Sequence, residues 1–305
     1  MKLVTERPGR LVKIGTDKTI IPIQGVLHRG EGGLLGLALH PDFTRNNLLY
    51  LYLTTQEGSL VTNRVERYHL QGSTLTSRTV IIENIPGSTF HDGGRIAFGP
   101  DKLLYITTGD AGNEPAAQDI QSLSGKILRL KDDGSIPEDN PFHNAVFSYG
   151  HRNPQGLAWN EKGQLWATEH GRSGVATGFD ELNLIEKGKN YGWPELQGDR
   201  TAPNMEAPKA HSGASTTWAP SGAIFYQNHL LFAGLRGQAL YDATIEGNNV
   251  KEVAVKFANE FGRLRTVTVG PDGFLYILTN NTDGRGTPKT NDDKIIRINP
   301  SLLAN

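Results

Sequence analysis

His91 is followed by Asp92-Gly93-Gly94-Arg95, and glycines beside a histidine let the backbone come close to a ligand. An imidazole in that setting can carry a proton near neutral pH, although the same residue would serve equally well as a structural histidine. Arg152, Arg236, Arg263 and Arg265 form a second group with chemical potential, because guanidinium groups grip carboxylates and phosphates through paired hydrogen bonds. Taken singly, each reads just as well as a solvated cation or half of a surface ion pair. Glu31, Asn153 and His170 add further polar side chains, while Asp110 and Glu169 read as acceptors that fix their own loops. Any joint chemistry depends on whether the chain gathers these residues.

A repeated hairpin supplies the means. A small or polar approach leads into a short apolar strand, a turn rich in Pro, Asp, Asn or Gly, and a second apolar strand with a small polar end. The copies run from Gly36 to Thr55, Gly94 to Asp110, Gly156 to His170, Ser221 to Arg236 and Arg265 to Thr279. Most are followed by two alternating strands, such as Asn63–Leu70 and Ser77–Ile82, which makes a four-stranded antiparallel sheet per repeat. Sheets recurring at this spacing are blades of a β-propeller, and a partial repeat at the start brings the number to six. The expected fold is all-β, a single six-bladed propeller domain over residues 1–305 with an incomplete N-terminal blade. Residues 5–14 read as a second and third strand without a first, and residues 294–298 as a third strand without a fourth. The expected source of the missing strands is a longer N-terminus.

Strand polarity then sorts the polar residues. In an antiparallel blade the loop into the first strand and the loop out of the second lie at the same end. The incoming loops carry Glu31, His91, Arg152, Asn153, Trp218, Arg263 and Arg265, and the outgoing loops carry Asp110, Glu169, His170, Gly171 and Arg236. The opposite end carries ordinary turns such as Gly99-Pro100-Asp101 and Gly270-Pro271-Asp272-Gly273. Four arginines and two histidines at one mouth of a nearly neutral protein imply a small, multiply anionic ligand, either a polycarboxylate or a phosphorylated metabolite.

Composition narrows the rest. A net charge of −1 with scattered Lys and Arg gives no footprint for nucleic acid or an anionic membrane. The absence of cysteine excludes disulfides, zinc-thiolate sites and thiol nucleophiles. No apolar run has the length of a membrane span, and residues 1–7 have no signal-peptide core.

Several motifs follow one another in the order seen in the soluble quinoprotein glucose and aldose sugar dehydrogenases, which the chain resembles over nearly its whole length. They include Gly30-Glu31-Gly32-Gly33, His91-Asp92-Gly93-Gly94-Arg95, Gly125-Lys126-Ile127-Leu128-Arg129, His151-Arg152-Asn153-Pro154-Gln155-Gly156, Asp180-Glu181-Leu182-Asn183 and Asn190-Tyr191-Gly192-Trp193-Pro194. The resemblance implies oxidation of an aldose to its lactone by pyrroloquinoline quinone (PQQ) and calcium (Ca2+), with electrons passed to an unidentified acceptor. It makes His91 the base, and it makes Arg152 both catalytic and cofactor-binding. Glu31, Asn153, His170, Arg236, Arg263 and Arg265 become further cofactor contacts. The carbonyls of Gly171 and Arg172 would hold the catalytic calcium, and Glu181 with the Tyr191 carbonyl a second, structural one. It also implies work outside the cytoplasm.

Four departures from the family pattern stand out. Glu31 replaces a glutamine, so its charge beside an anionic quinone needs calcium or an arginine to compensate it. Arg172 replaces a proline, and the stretch 173–179 is longer than in the glucose enzymes. A long loop after Gly109-Asp110-Ala111-Gly112 is missing, which points to the broad-specificity aldose branch. Two other readings remain at this point: a non-catalytic calcium-bearing binding propeller, and a calcium-dependent lactonase.

Overall fold

The computed structural model describes residues 1–172 and 178–303, so part of the unusually long stretch 173–179 lies outside the described residues. The regular structure of the described chain is nearly all strand, with helix confined to α1 (Phe43–Asn46) and two one-turn 3₁₀ segments. None of its helices is long and apolar enough to cross a membrane.

Two compact units divide the strands. The first, Met1–Asn153 with Lys187–Pro194, contains three antiparallel sheets. Its first sheet is β1 (Lys2–Glu6), β2 (Arg10–Ile14) and β3 (Lys18–Pro22). The next is β4 (Leu34–Leu39), β5 (Leu48–Glu57), β6 (Leu60–Gln71) and β7 (Thr74–Pro86), and the third is β8 (Ile96–Phe98), β9 (Leu104–Thr108), β10 (Lys126–Leu130) and β11 (Val146–Tyr149). The second unit, Pro154–Glu186 with Glu195–Asn305, also contains three. They are β12 (Pro154–Trp159), β13 (Leu165–Glu169), β14 (Glu181–Ile185) and β15 (Ala210–His211); β16 (Pro220–Tyr226), β17 (His229–Gly234), β18 (Leu240–Glu246) and β19 (Asn249–Lys256); and β20 (Leu264–Val269), β21 (Leu275–Thr279) and β22 (Ile295–Ile298). These six sheets are the blades of a six-bladed β-propeller, and all five hairpins read from the sequence are present as β4–β5, β8–β9, β12–β13, β16–β17 and β20–β21.

The apolar second strands β5, β9, β13 and β17 are buried on both faces, which is why they read as continuous runs rather than alternations, whereas β21 alternates buried and half-buried residues. On β5, Leu49, Leu51 and Leu53 pack with Leu11, Ile21 and Leu34, while Tyr50 and Tyr52 face the opposite cluster of Ile96, Leu104 and Ile106. On β17, Leu230 and Phe232 join Trp166 and Tyr241, and Leu231 and Ala233 join Val267 and Ile277. Each fully buried leucine of this kind contributes about 1.5–3 kcal/mol.

The first strands of adjacent sheets pack together: β1 on β4 and β4 on β8 in the first unit, and β12 on β16 and β16 on β20 in the second. This corrects the reading of residues 5–14. Thr5 and Glu6 end a true first strand, anchored where Leu34 N–H donates to the Arg7 carbonyl at 2.9 Å. The first sheet ends instead at its third strand, as the last sheet also does. At the turn end, Asp101 and Asp272 each accept the N–H two residues on and the hydroxyl of the tyrosine four residues on, Tyr105 and Tyr276.

Candidate active site

Four of the incoming strands, β4, β12, β16 and β20, lose regular register near their first residues, at Leu34–Leu37, Pro154–Gly156, Pro220–Ala223 and Leu264–Thr266. Such bulges re-aim side chains at the end of a sheet. The expected site residues sit at or beside these points and on the loops that face them.

In the first unit the loop before β8 carries His91 in the left-handed region, at φ 60°. A non-glycine residue is held there only by its surroundings. Its N–H donates to Glu31 Oε2 at 2.9 Å, and Glu31 N–H donates to the Thr89 carbonyl at 3.0 Å. Glu31 therefore binds a backbone amide of the His91 loop. The sequence, which shows only side-chain types, suggested a cofactor contact and nothing of this role.

His91 Nδ1 lies 2.7 Å from Asp110 Oδ1. Burial would raise the Asp110 carboxyl, but the hydrogen bond and charge of His91, the Gly112 N–H and the Trp193 indole N–H outweigh it and hold the group below the ordinary carboxylate range. An ionised carboxylate can only accept, so Nδ1 of His91 carries a proton toward it, and Nε2 is the ring nitrogen on the side away from Asp110. Asp110 does fix its loop, accepting Gly112 N–H at 2.8 Å, as the sequence suggested. Its second role as the partner of His91 was missed. The available signal was that both residues belong to the same mouth.

Arg152 and Asn153 precede β12 and are both buried. The Arg152 carbonyl accepts Asp110 N–H at 2.8 Å, and its guanidinium lies 5.2 Å from the Trp193 ring centre. Asn153 Oδ1 accepts Gly93 N–H at 3.0 Å, and its buried Nδ2 has no partner among the described residues. That amide is a donor waiting for an acceptor, as a carboxylated or quinonoid ligand would provide. Asp92, next to His91, is pushed up to about 6 by burial, against the hydrogen bonds of Asn63 and the Ser88 N–H. Tyr191 is buried in this unit, stacked on His151 at 4.8 Å between ring centres.

The second unit holds the remaining residues. His170 and Gly171 leave β13, and Gly171 N–H donates to Asp180 Oδ1 at 2.9 Å. Asp180 Oδ2 accepts from the Thr217 hydroxyl and the N–H groups of Trp218 and Ala219, so one carboxylate ties the outgoing loop of one sheet to the incoming loop of the next. Arg172 is exposed and bridges to Gly178. Arg236 is exposed in the β17–β18 turn, whose Leu235 N–H reaches the Ala219 carbonyl.

Arg265 Nη1 donates to Gln155 Oε1 at 2.7 Å, and Ser221 Oγ donates to the same oxygen at 3.2 Å. Arg263 is bound through Nε and Nη2 to Asp283 Oδ2, at 3.0 and 2.8 Å. The sequence had paired Arg263 with a ligand; the structure adds a resident carboxylate. Glu169 and Glu181 are cross-strand neighbours that share Asn183 Nδ2. Burial, then the charge of Glu169, pushes Glu181 up to about 8.

Comparison with known proteins agrees with this architecture. The aldose sugar dehydrogenase YliI of Escherichia coli is 33% identical over 92% of this chain and 84% of its own length. Among solved structures, the PQQ-bound aldose sugar dehydrogenase of Streptomyces coelicolor is 39% identical with a TM-score of 0.90, over 97% of this chain and 89% of that one. A structure from Thermus thermophilus described as an oxidoreductase of glucose dehydrogenase type is 44% identical with a TM-score of 0.92, over 97% of this chain and 92% of that one. The sequence model of glucose and sorbosone dehydrogenases matches residues 1–297, and the chain belongs to the Glucose / Sorbosone dehydrogenase family.

Proposed function

We propose that this protein oxidises aldoses to lactones with PQQ and calcium, passing the electrons to an external acceptor. The observation that carries the reading is the Asp110–His91 pair, which turns Nδ1–H of His91 to the carboxylate and leaves Nε2 to act as the base. The quinone-bound Streptomyces relative, 39% identical, supports the cofactor. The orphaned Nδ2 of Asn153 and the neighbouring Arg152 in the first unit suit a carboxylated ligand.

The proposed cofactor contacts are Glu31, Arg152 and Asn153 in the first unit and His170, Arg236, Arg263 and Arg265 in the second. When bound, PQQ supplies the two-electron acceptor for the hydride from the anomeric carbon. His91 Nε2 takes the proton of the anomeric hydroxyl as that hydride leaves, and the C–O bond becomes the lactone carbonyl. Asp110 steadies the imidazolium that results. Arg152 offers positive charge where the reduced cofactor gains negative charge. The carbonyls of Gly171 and Arg172 are the proposed ligands of the catalytic calcium, with Asp180 fixing the Gly171 end of that loop. Glu181 and the Tyr191 carbonyl are the proposed ligands of a structural calcium. By the same resemblance we place the enzyme outside the cytoplasm.

The test is dye reduction by the protein loaded with PQQ and calcium, across a panel of aldoses, with His91→Ala beside it. Sugar-dependent reduction should fall by about 10²–10⁴-fold in the variant. Equal activity in the two proteins would remove His91 from the reaction, and failure of the parent to bind quinone would remove the dehydrogenase reading.

A further inference from the structure

Trp193 reaches both halves of the catalytic arrangement in the first unit. Its indole N–H donates to Asp110 Oδ2 at 2.9 Å, and its ring lies 5.2 Å from the guanidinium carbon of Arg152. The side chain is 5% exposed, and its backbone is fixed at both polar atoms. Gln118 Nε2 donates to the Trp193 carbonyl at 2.6 Å, and Trp193 N–H donates to the Gly150 carbonyl at 2.9 Å. The indole is thus delivered by a braced segment.

We infer that Trp193 is a positioning residue for the oxidation: its N–H sets how strongly Asp110 holds the His91 proton, and its ring face holds Arg152 in place. This rests on the reading of His91 as the base. Asp110 Oδ1 serves His91 and the Gly112 N–H, so Oδ2 is where the remaining carboxylate charge is drawn off, and Trp193 draws on it. A carboxylate that loses a donor becomes a stronger partner for an imidazolium. Without the indole N–H, more of the Asp110 charge falls on the Nδ1–H of His91, and the pH at which the enzyme becomes active rises. The other charged groups around the pair are Glu31, which accepts the His91 N–H, Asp92 beside it in the chain, and Arg152 over the indole. Trp193→Phe leaves all of these in place, since it keeps a ring under Arg152.

Two variants separate the contacts. Trp193→Phe keeps a ring under Arg152 and removes the N–H, whereas Trp193→Leu removes both. The acid limb of the kcat/KM profile should move to higher pH by about half a unit in Trp193→Phe, with the quinone titration midpoint unchanged. Trp193→Leu should show the same shift and also weaken quinone binding by about 3–5-fold, the loss of one partly desolvated cation–ring contact.

A cofactor-free readout runs beside these. In ¹⁵N-labelled apoprotein the chain's four tryptophans give indole resonances, and the one missing from Trp193→Phe should move upfield in Asp110→Asn. An acid limb that stays in place in Trp193→Phe while His91→Ala is inactive overturns the proposal. So does an Asp110→Asn spectrum in which none of the four indole resonances moves upfield, a measurement that needs no assignment and holds even where Trp193→Phe fails to fold. An active His91→Ala would instead strike the base assignment on which the proposal stands, and would take the proposal with it.

Discussion

Gly109→Ala is the sharpest probe of how the site is held together. A Cβ on Gly109 would stand 1.8 Å from the His91 carbonyl oxygen and 2.3 Å from its carbonyl carbon. Gly109 does not lie in the left-handed region, so alanine costs nothing in local backbone conformation, and the whole effect comes from this clash. Ordinary contact starts at 3.4 Å, so the two backbones must separate by about 1.6 Å. Neither yields easily. The Gly109 carbonyl accepts Gly125 N–H at 2.8 Å, and His91 is gripped at its N–H by Glu31 and at Nδ1 by Asp110.

Overpacking of this kind costs about 1–3 kcal/mol, so the melting temperature should drop by several degrees. A displacement of an ångström or more at the base should lower kcat by about 10²-fold. Calorimetry and dye-reduction kinetics read the two effects, with Gly15→Ala as a control because nothing lies within 4 Å of the added carbon. If Gly109→Ala melted and turned over like the parent, the packing of the His91 loop on the Gly109 backbone would not be what places the base.

Glu181 predicts an unusual pH dependence. Its folded value of about 8 exceeds the ordinary 4.5, so its stabilising effect is full below about 4.5 and is lost as the pH rises through 8. Calcium-chelated protein should therefore melt several degrees lower at pH 8 than at pH 5, and Glu181→Gln should remove most of that slope. Calcium should restore stability at pH 8 in the parent alone, and a flat profile in chelated parent protein would contradict the assigned environment. Phe90 is 41% exposed and lies edge-on to His91 with ring centres 4.8 Å apart. As a platform for the apolar face of a sugar it should raise KM by about 5–10-fold when changed to alanine, with kcat within about threefold; an unchanged KM across the aldose panel would count against a sugar contact.

The blades were legible because their second strands are sandwiched between neighbouring sheets. Leu49 to Leu53 and Leu230 to Ala233 are apolar on both faces, and that run survives in the sequence. The outer blade was harder. Lys2–Glu6 and Lys18–Pro22 are short and mix charge with apolar residues, so a three-stranded sheet looked like a pair of strands.

Strand polarity alone placed His91, Asp110 and Arg152 at one mouth, and the structure joins them. It could not reveal Trp193, which meets Asp110 across 83 positions of sequence from a segment outside the hairpins. Nor could it show that Glu31 answers a backbone amide, because that amide is exposed to it only by the left-handed turn at His91. Contacts of that kind depend on loop conformation, which residue types constrain only weakly.

The two sheets that stop at a third strand bear on how the protein behaves at high concentration. A bare strand edge offers unpaired amides and carbonyls to other chains. On β3 the exposed residues Lys18, Ile20 and Pro22 share that edge strand, with the lysine at one end and at the other the proline, which has no N–H to donate. On β22 the exposed face of Ile295 is followed by Arg297, which folds over Phe274 and pairs with Asp272. Lysine and proline at the ends of β3, and Arg297 within β22, thus set charge or a missing N–H among the apolar residues of both strands, which disfavours further pairing at these margins.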